Sequence, residues 1–193
     1  MTYYSYRGYR GFRLNAIWSL IGINIVLFIA TLIYPALLLL FGLNPASFSA
    51  RPWTIVTNLF MHGGIGHILA NMITLYFFGS FLTRLVGQKR FLVIYFLGGI
   101  LGNFVYMLLA SPFSIAIGAS GAVFALGGTL AVLTPKLRVL LFFIVPLPLW
   151  VAVIGGFFII SFFPGVAWQA HLGGLVLGLV AGYLLRRKGR YYF

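Results

Sequence analysis

Long apolar runs are the feature of this sequence that most restricts its fold. They recur along nearly the whole chain, separated only by short stretches that carry basic or turn-forming residues. Of the 193 residues 62% are hydrophobic and only 7% are charged, too few polar groups to cover a water-soluble domain of this size. Because about 20 consecutive apolar residues span a bilayer as a helix, we expect an all-α polytopic membrane protein with one domain.

The apolar runs predict a bundle of six transmembrane helices. The six candidate spans are Leu14–Phe41, His67–Val86, Phe91–Ala110, Gly118–Leu133, Leu137–Phe163 and Trp168–Leu185. This division leaves residues 1–13 as an N-terminal segment, residues 14–185 as the membrane domain and residues 186–193 as a basic tail.

The basic residues predict how the spans are oriented. Twelve of the 13 Lys and Arg residues fall on one side of the predicted bundle, and only Arg51 falls on the other. By the positive-inside rule, both termini are expected in the cytoplasm, in a multi-pass protein of the cell membrane. Arg51 lies in the long outer connection Gly42–Gly66, which is apolar enough to pack on the bundle or in the interface, with Trp53 as an anchor.

The net charge of +13 is also typical of proteins that bind nucleic acid. Because the basic residues lie at the ends of spans, we favour contacts with lipid headgroups and expect no nucleic-acid partner. The chain contains no Asp, Glu or Cys. Their absence excludes an aspartyl dyad, a Ser-His-Asp triad, disulfides, thiolate nucleophiles and metal sites with a catalytic Glu. We expect no cofactor and no metal.

Four polar side chains within the spans are candidates for a site, since polar groups are costly in a bilayer. They are His67, Asn71, Ser120 and His171. At about 1.5 Å per residue, Ser120 and His171 lie roughly 22 Å above Pro135 and Arg186, which mark the inner ends of their spans. Asn71 lies roughly 20 Å above Arg84, with His67 one turn higher. All four are therefore expected in the outer half of the membrane, where they can meet. The segment before Ser120 is not expected to be helical, so Ser120 begins a helix and has free N–H groups beside it.

Each candidate also has a purely structural interpretation. The sequence Gly118-Ala-Ser-Gly121 is compatible with a patch of small residues for helix packing. His171 alone is compatible with an interfacial histidine, and His67 and Asn71 with hydrogen-bond partners between helices. Because all four polar residues are expected at a similar depth in the membrane, we favour the interpretation that they form one site.

Other residues have structural interpretations only. Gly174, Gly178 and Gly182 predict close packing of the sixth span against the fourth. Asn103, beside several glycines, indicates helix packing, and for His62 structural support is favoured over catalysis.

Three ordered motifs resemble those of the rhomboid family, and the resemblance covers nearly the whole chain beyond the first dozen residues. Gly118-Ala-Ser-Gly121 resembles the GxSG motif of that family, and Ala170-His-Leu-Gly-Gly174 resembles its final catalytic helix. His62-Gly-Gly-Ile-Gly-His67-Ile-Leu-Ala-Asn71 resembles its second helix. Order, spacing and the number of spans all agree with a rhomboid-like bundle.

The resemblance implies an intramembrane serine protease that cleaves transmembrane segments of other membrane proteins. Carried over by position, Ser120 is the nucleophile and His171 the general base, while Asn71, His67 and the Ser120 N–H form the oxyanion hole. Gly118, Gly121 and Phe124 have supporting roles. Gly118 keeps the approach to the nucleophile open, and Phe124 stands where some members have Tyr. A further departure is Trp53-Thr54, where the family often has Trp-Arg.

Two other functions remain possible from the sequence. The first is an inactive rhomboid-like protein for binding or quality control of membrane proteins, although such members usually lack the nucleophile or the base. The second is a small transporter, for which neither a charged residue in the membrane interior nor a pathway motif gives support.

Overall fold

The computed structural model describes residues 15–141 and 144–188 as a helical bundle with one small β-hairpin. The helices are α1 (Ala16–Ile33), α2 (Leu37–Phe41), α3 (Thr54–Thr57), α4 (Ile65–Val86), α5 (Gln88–Leu109), α6 (Ser120–Leu133), α7 (Leu149–Ser161) and α8 (Trp168–Lys188). Two 3₁₀ helices, Pro45–Ala50 and Asn58–Phe60, lie in the connection between α2 and α4. The predicted N-terminal segment 1–13 and the end of the basic tail, 189–193, lie outside the described residues.

Within the described residues, four helices are long and apolar enough to cross a membrane. They are α1, α4, α5 and α8, whose best windows have mean hydropathies of 1.4 to 2.4. Helices α6 and α7 are apolar but shorter, with 14 and 13 residues. The prediction of a multi-pass integral membrane protein is therefore confirmed.

The first predicted span, Leu14–Phe41, is wrong as one continuous helix. Helix α1 ends at Ile33, and Tyr34 leaves the helical region with φ −131° and ψ 84°. Pro35 causes the break, since its ring disfavours a helical conformation at the preceding residue and it has no N–H to continue the helix. The chain resumes as the separate helix α2.

The fifth predicted span, Leu137–Phe163, is also wrong in its first half, so the described chain is not purely helical. Strands β1 (Arg138–Leu141) and β2 (Val145–Pro148) form an antiparallel hairpin that precedes α7. Pro146 and Pro148 account for the difference. Proline is costly within a helix but tolerated in an edge strand or at a helix start, and each strand of a two-stranded hairpin is an edge.

Helix α6 lies at the centre of the bundle, with eleven of its fourteen residues buried. Glycines of α8 face its backbone at successive turns: a Cβ at Gly174 would overlap the carbonyl of Gly121, and a Cβ at Gly178 that of Ala125. One turn further, a Cβ at Gly182 would lie 2.9 Å from the Thr129 carbonyl oxygen. The predicted close packing of the last span against the fourth is confirmed.

The connection between α2 and α4 packs on the bundle, as the sequence predicts. Leu43 and Ala116 exchange backbone hydrogen bonds of 2.9 and 2.8 Å, which joins this connection to the segment before α6. Side chains of the connection also cap the carboxyl end of α2. The Trp53 indole N–H donates to the Leu40 carbonyl at 3.2 Å, and the Thr57 hydroxyl to the Phe41 carbonyl at 2.9 Å.

Candidate active site

Ser120 is placed at the amino end of the central helix by an irregular segment. Residues 111–119 contain no regular helix, and Ser120 is the first residue of α6, as predicted. A backbone N–H at this position has no acceptor within its own helix. Ser120 therefore presents both a hydroxyl group and a free backbone donor at the same point of the bundle.

His171 meets Ser120 from the first turn of α8. Its Nε2 atom lies 2.7 Å from the Ser120 Oγ, a hydrogen-bond distance. The His171 side chain is buried, with 5% of its surface exposed, and among the described residues its Nδ1 has no hydrogen-bond partner. The structure thus brings together the predicted nucleophile and base, and no side chain of the described residues hydrogen-bonds the far nitrogen of the imidazole.

Gly121 allows this meeting because it admits the backbone next to His171. A Cβ at Gly121 would lie 3.1 Å from the Ala170 carbonyl oxygen, which is closer than most side chains tolerate. Gly102 of α5 packs against the same carbonyl, and a Cβ there would overlap it. Small residues on two helices therefore hold the start of α8 against the start of α6.

An aromatic ring orients the imidazole. The Phe124 ring lies against His171 with its centroid 4.7 Å away and a 33° angle between the planes. Phe157 of α7 packs edge-on against Phe124 at 5.9 Å and 88°. The sequence predicted the role of Phe124 by resemblance but gave no reason to select Phe157, which is one of several phenylalanines in an apolar run.

His67 lies beside the backbone that precedes Ser120. Gly118 has φ +117°, a left-handed conformation that glycine adopts without strain. A Cβ at Gly118 would lie 2.6 Å from the His67 Nε2, so any side chain there would clash with the imidazole. Gly118 lies two positions before Ser120, and its lack of a side chain leaves room for the His67 ring beside the nucleophile.

Asn71 is buried one turn further along α4, on the same face as His67. Its side-chain amide donates to the His67 carbonyl at 2.9 Å. This bond uses one of the two amide hydrogens, so Asn71 retains donor capacity for a ligand.

His62 lies just before α4 and is 1% exposed. Its ring packs edge-on against His67, with 5.0 Å between the centroids. The pKa of His62 is lowered to about 4, mainly by burial and in addition by the neighbouring His67, while the Phe60 backbone opposes the change. His62 is therefore neutral near pH 7 and supports the position of the His67 ring, in agreement with the structural role favoured from the sequence.

The assembled groups have the chemistry for acyl transfer. A hydroxyl is hydrogen-bonded to an imidazole, a free helix N–H adjoins it, and a histidine and an asparagine lie on the facing helix. A nucleophile with a base and nearby donors for a developing oxyanion is the arrangement that this reaction requires.

Comparisons with known proteins identify the family of the chain. Residues 49–188 match the family model described as "Rhomboid domain". The chain is 33% identical over 171 residues to "RHOMBOID-like protein 12, mitochondrial" of Arabidopsis thaliana, covering 75% of this chain and 49% of that protein. It is 34% identical over 139 residues to "Rhomboid-like protease 3" of Toxoplasma gondii, covering 70% and 52%.

A third relative extends the match over most of the chain. "Rhomboid protein 1, mitochondrial" of Saccharomyces cerevisiae is 28% identical over 195 residues, covering 90% of this chain and 54% of that protein. The chain thus spans about half the length of these three relatives. With a family model that matches most of its length and motifs in the family's order, the chain belongs to the rhomboid family.

Proposed function

We propose that this protein is an intramembrane serine endopeptidase that cleaves transmembrane segments of other membrane proteins through a Ser120–His171 dyad. Rhomboid proteins are typically intramembrane proteases, and the Toxoplasma gondii relative described above is named a protease. The observation that carries the proposal is the 2.7 Å distance between the His171 Nε2 and the Ser120 Oγ.

In the first half of the reaction, His171 accepts the hydroxyl proton as the Ser120 Oγ attacks the carbonyl carbon of the scissile peptide bond. A serine hydroxyl is a weak nucleophile until a base takes this proton. The negative charge that develops on the carbonyl oxygen is stabilised by the Ser120 N–H and by donors from His67 and Asn71. When the tetrahedral intermediate collapses, His171 protonates the departing amine and an ester forms at Ser120.

In the second half, water clears the acyl-enzyme. His171 takes one proton from water as the water oxygen attacks the ester carbonyl, and it returns this proton to the Ser120 oxygen when the ester bond breaks. The carboxylic acid product then releases its own proton to solvent. No side-chain carboxylate in this chain can orient the imidazole, because the sequence contains neither Asp nor Glu. In the proposed mechanism the Phe124 ring performs this positioning.

We further propose that α6 and α7 also cross the membrane and complete a bundle of six spans. Both termini then lie in the cytoplasm, and the protein lies in the plasma membrane. Helix α6 is about 21 Å long, shorter than a hydrocarbon core of about 30 Å. The irregular segment before Ser120 makes up the difference, which is acceptable where backbone is covered by protein or lines a water-filled cavity. Two of the relatives above are named mitochondrial, so cell fractionation tests the choice of membrane.

The orientation gives one prediction. Tags at either terminus should be protected from protease added outside intact cells and become accessible once the membrane is permeabilised, because twelve of the 13 basic residues lie on the predicted inner side. Western blotting of the tags reports the outcome. Cleavage of either tag in intact cells would contradict the proposed topology.

Labelling of the nucleophile tests the proposed chemistry. A fluorophosphonate probe should label the detergent-purified protein covalently, and the label should disappear in Ser120→Ala, because only an activated serine attacks the probe. Ser161→Ala is the matched control, since the Ser161 hydroxyl donates to the Phe157 carbonyl in α7 and is not part of the site. A folded wild-type protein that takes up no label would instead support an inactive binding protein or a transporter.

A further inference from the structure

A pair of buried asparagines links the outer connection to helix α5. The Asn58 side-chain amide donates to the Asn103 Oδ1 at 2.9 Å, and the Asn103 amide donates back to the Asn58 Oδ1 at 2.7 Å. The two side chains are 1% and 2% exposed. The Asn103 amide also donates to the Ile55 carbonyl at 2.7 Å. One side chain of α5 therefore holds the connection at two points, in surroundings where an unpaired amide is costly.

The fit between α5 and the connection is close around this pair. Gly99 lies one turn before Asn103, and a Cβ there would lie 2.7 Å from the Leu59 side chain. Leu59 follows Asn58 directly and is 1% exposed. The connection is thus fixed by packing and by three hydrogen bonds, so its backbone at Asn58 has a defined position.

That backbone holds the segment which carries the nucleophile. The Asn58 carbonyl accepts a hydrogen bond from the Gly118 N–H at 2.9 Å. Gly118 is the residue with φ +117° at which any Cβ would clash with the His67 ring, and it precedes Ser120 by two positions. A continuous set of contacts therefore runs from Asn103 through Asn58 to Gly118.

We propose that Asn58 and Asn103 are positioning residues, which set Gly118 and thereby the alignment of the Ser120 backbone N–H with the donors of α4. Neither asparagine touches the reacting atoms in this role. The inference rests on the proposed protease function and adds to it the elements that fix the oxyanion donors. It also assigns a function to Asn103, for which the sequence indicated only helix packing.

The role predicts a loss of turnover and not of substrate binding. Asn103→Leu should lower kcat about tenfold at unchanged KM, because small misplacements of catalytic groups are costly in rate. A substitution that merely weakens the fold would lower the amount of active enzyme and the unfolding midpoint together. Thr129→Val is the matched control, since the buried Thr129 hydroxyl hydrogen-bonds the Gly178 carbonyl at 3.1 Å between α6 and α8, away from Gly118.

Coupling to Asn71 provides the decisive measurement. If the asparagine pair acts through the oxyanion donors, Asn103→Leu should cost less than about threefold in kcat once Asn71→Ala has already removed one donor. Thr129→Val should have the same effect in both backgrounds. An equal loss of kcat for Asn103→Leu with and without Asn71→Ala would overturn the inference.

A second variant covers the case in which Asn103→Leu does not fold. The double variant Asn58→Leu/Asn103→Leu removes both side-chain amides, so that neither is left buried without its partner. This change is less destabilising than removing only one of the two. It should fold and show the same tenfold loss, and wild-type kcat in this variant would overturn the inference. If the wild-type protein shows no Ser120-dependent cleavage at all, the proposed function itself has failed.

Discussion

Replacing Ser120 or His171 by alanine is expected to abolish cleavage of a transmembrane substrate while the bundle remains folded. Either change removes one partner of the 2.7 Å contact between hydroxyl and imidazole. Removing one member of a nucleophile–base pair typically costs about 10⁴-fold or more in kcat, because the members act as a unit. Cleavage of a tagged transmembrane substrate in liposomes, followed by gel electrophoresis, measures the loss.

Two controls make this expectation specific. Ser161→Ala should retain wild-type activity, and circular dichroism should show unchanged helical content in all three variants. The double variant Ser120→Ala/His171→Ala should be no worse than either single change, since the second residue has no function without the first. Chelators should have no effect, because the mechanism uses only groups of the protein itself and water. Substantial cleavage by Ser120→Ala would disprove the dyad.

The meeting of Ser120 and His171 could be predicted because, in a helix that crosses a membrane, the number of residues from one end gives the depth of a side chain. Counted from Pro135 and Arg186, Ser120 and His171 are expected at similar heights, and the structure places their side chains 2.7 Å apart. The glycine ridge of α8 was predictable for a related reason, since small residues four apart define one helix face. The small residues of α6 then indicated that this helix is the partner of that face.

The errors arose where hydropathy alone was used to define helices. An apolar run does not distinguish a helix from a hairpin, and Pro146 and Pro148 decided that question in the fifth span. Pro35 likewise divides the first predicted span into two helices. The role of the Asn58–Asn103 pair was hidden for a different reason: the partners are 45 residues apart, and their connection to Gly118 runs through a backbone carbonyl that no side-chain pattern reveals.

Substitution of Gly178 by leucine is expected to destroy the fold or weaken it severely. Even a Cβ at this position would overlap the Ala125 carbonyl, a backbone group that can move only if the two central helices separate. Overpacking of this kind costs about 1–3 kcal/mol when side chains can yield, and more when backbone must move. The separation would also pull His171 away from Ser120, since both lie at the starts of the same two helices.

Gly22→Leu is the matched control, because it makes the same exchange of glycine for leucine at a helical position without close neighbours. Gly22 is an exposed helical glycine in α1, and a Cβ there would meet nothing within 4 Å. Leucine also favours helix over glycine by somewhat under 1 kcal/mol. Gly22→Leu should therefore leave the unfolding midpoint in a titration of detergent micelles with SDS equal to or above the wild-type value, with cleavage retained. Gly178→Leu should lose both the cooperative transition and the activity, and a midpoint equal to that of Gly22→Leu would show that α6 and α8 do not pack as closely as described.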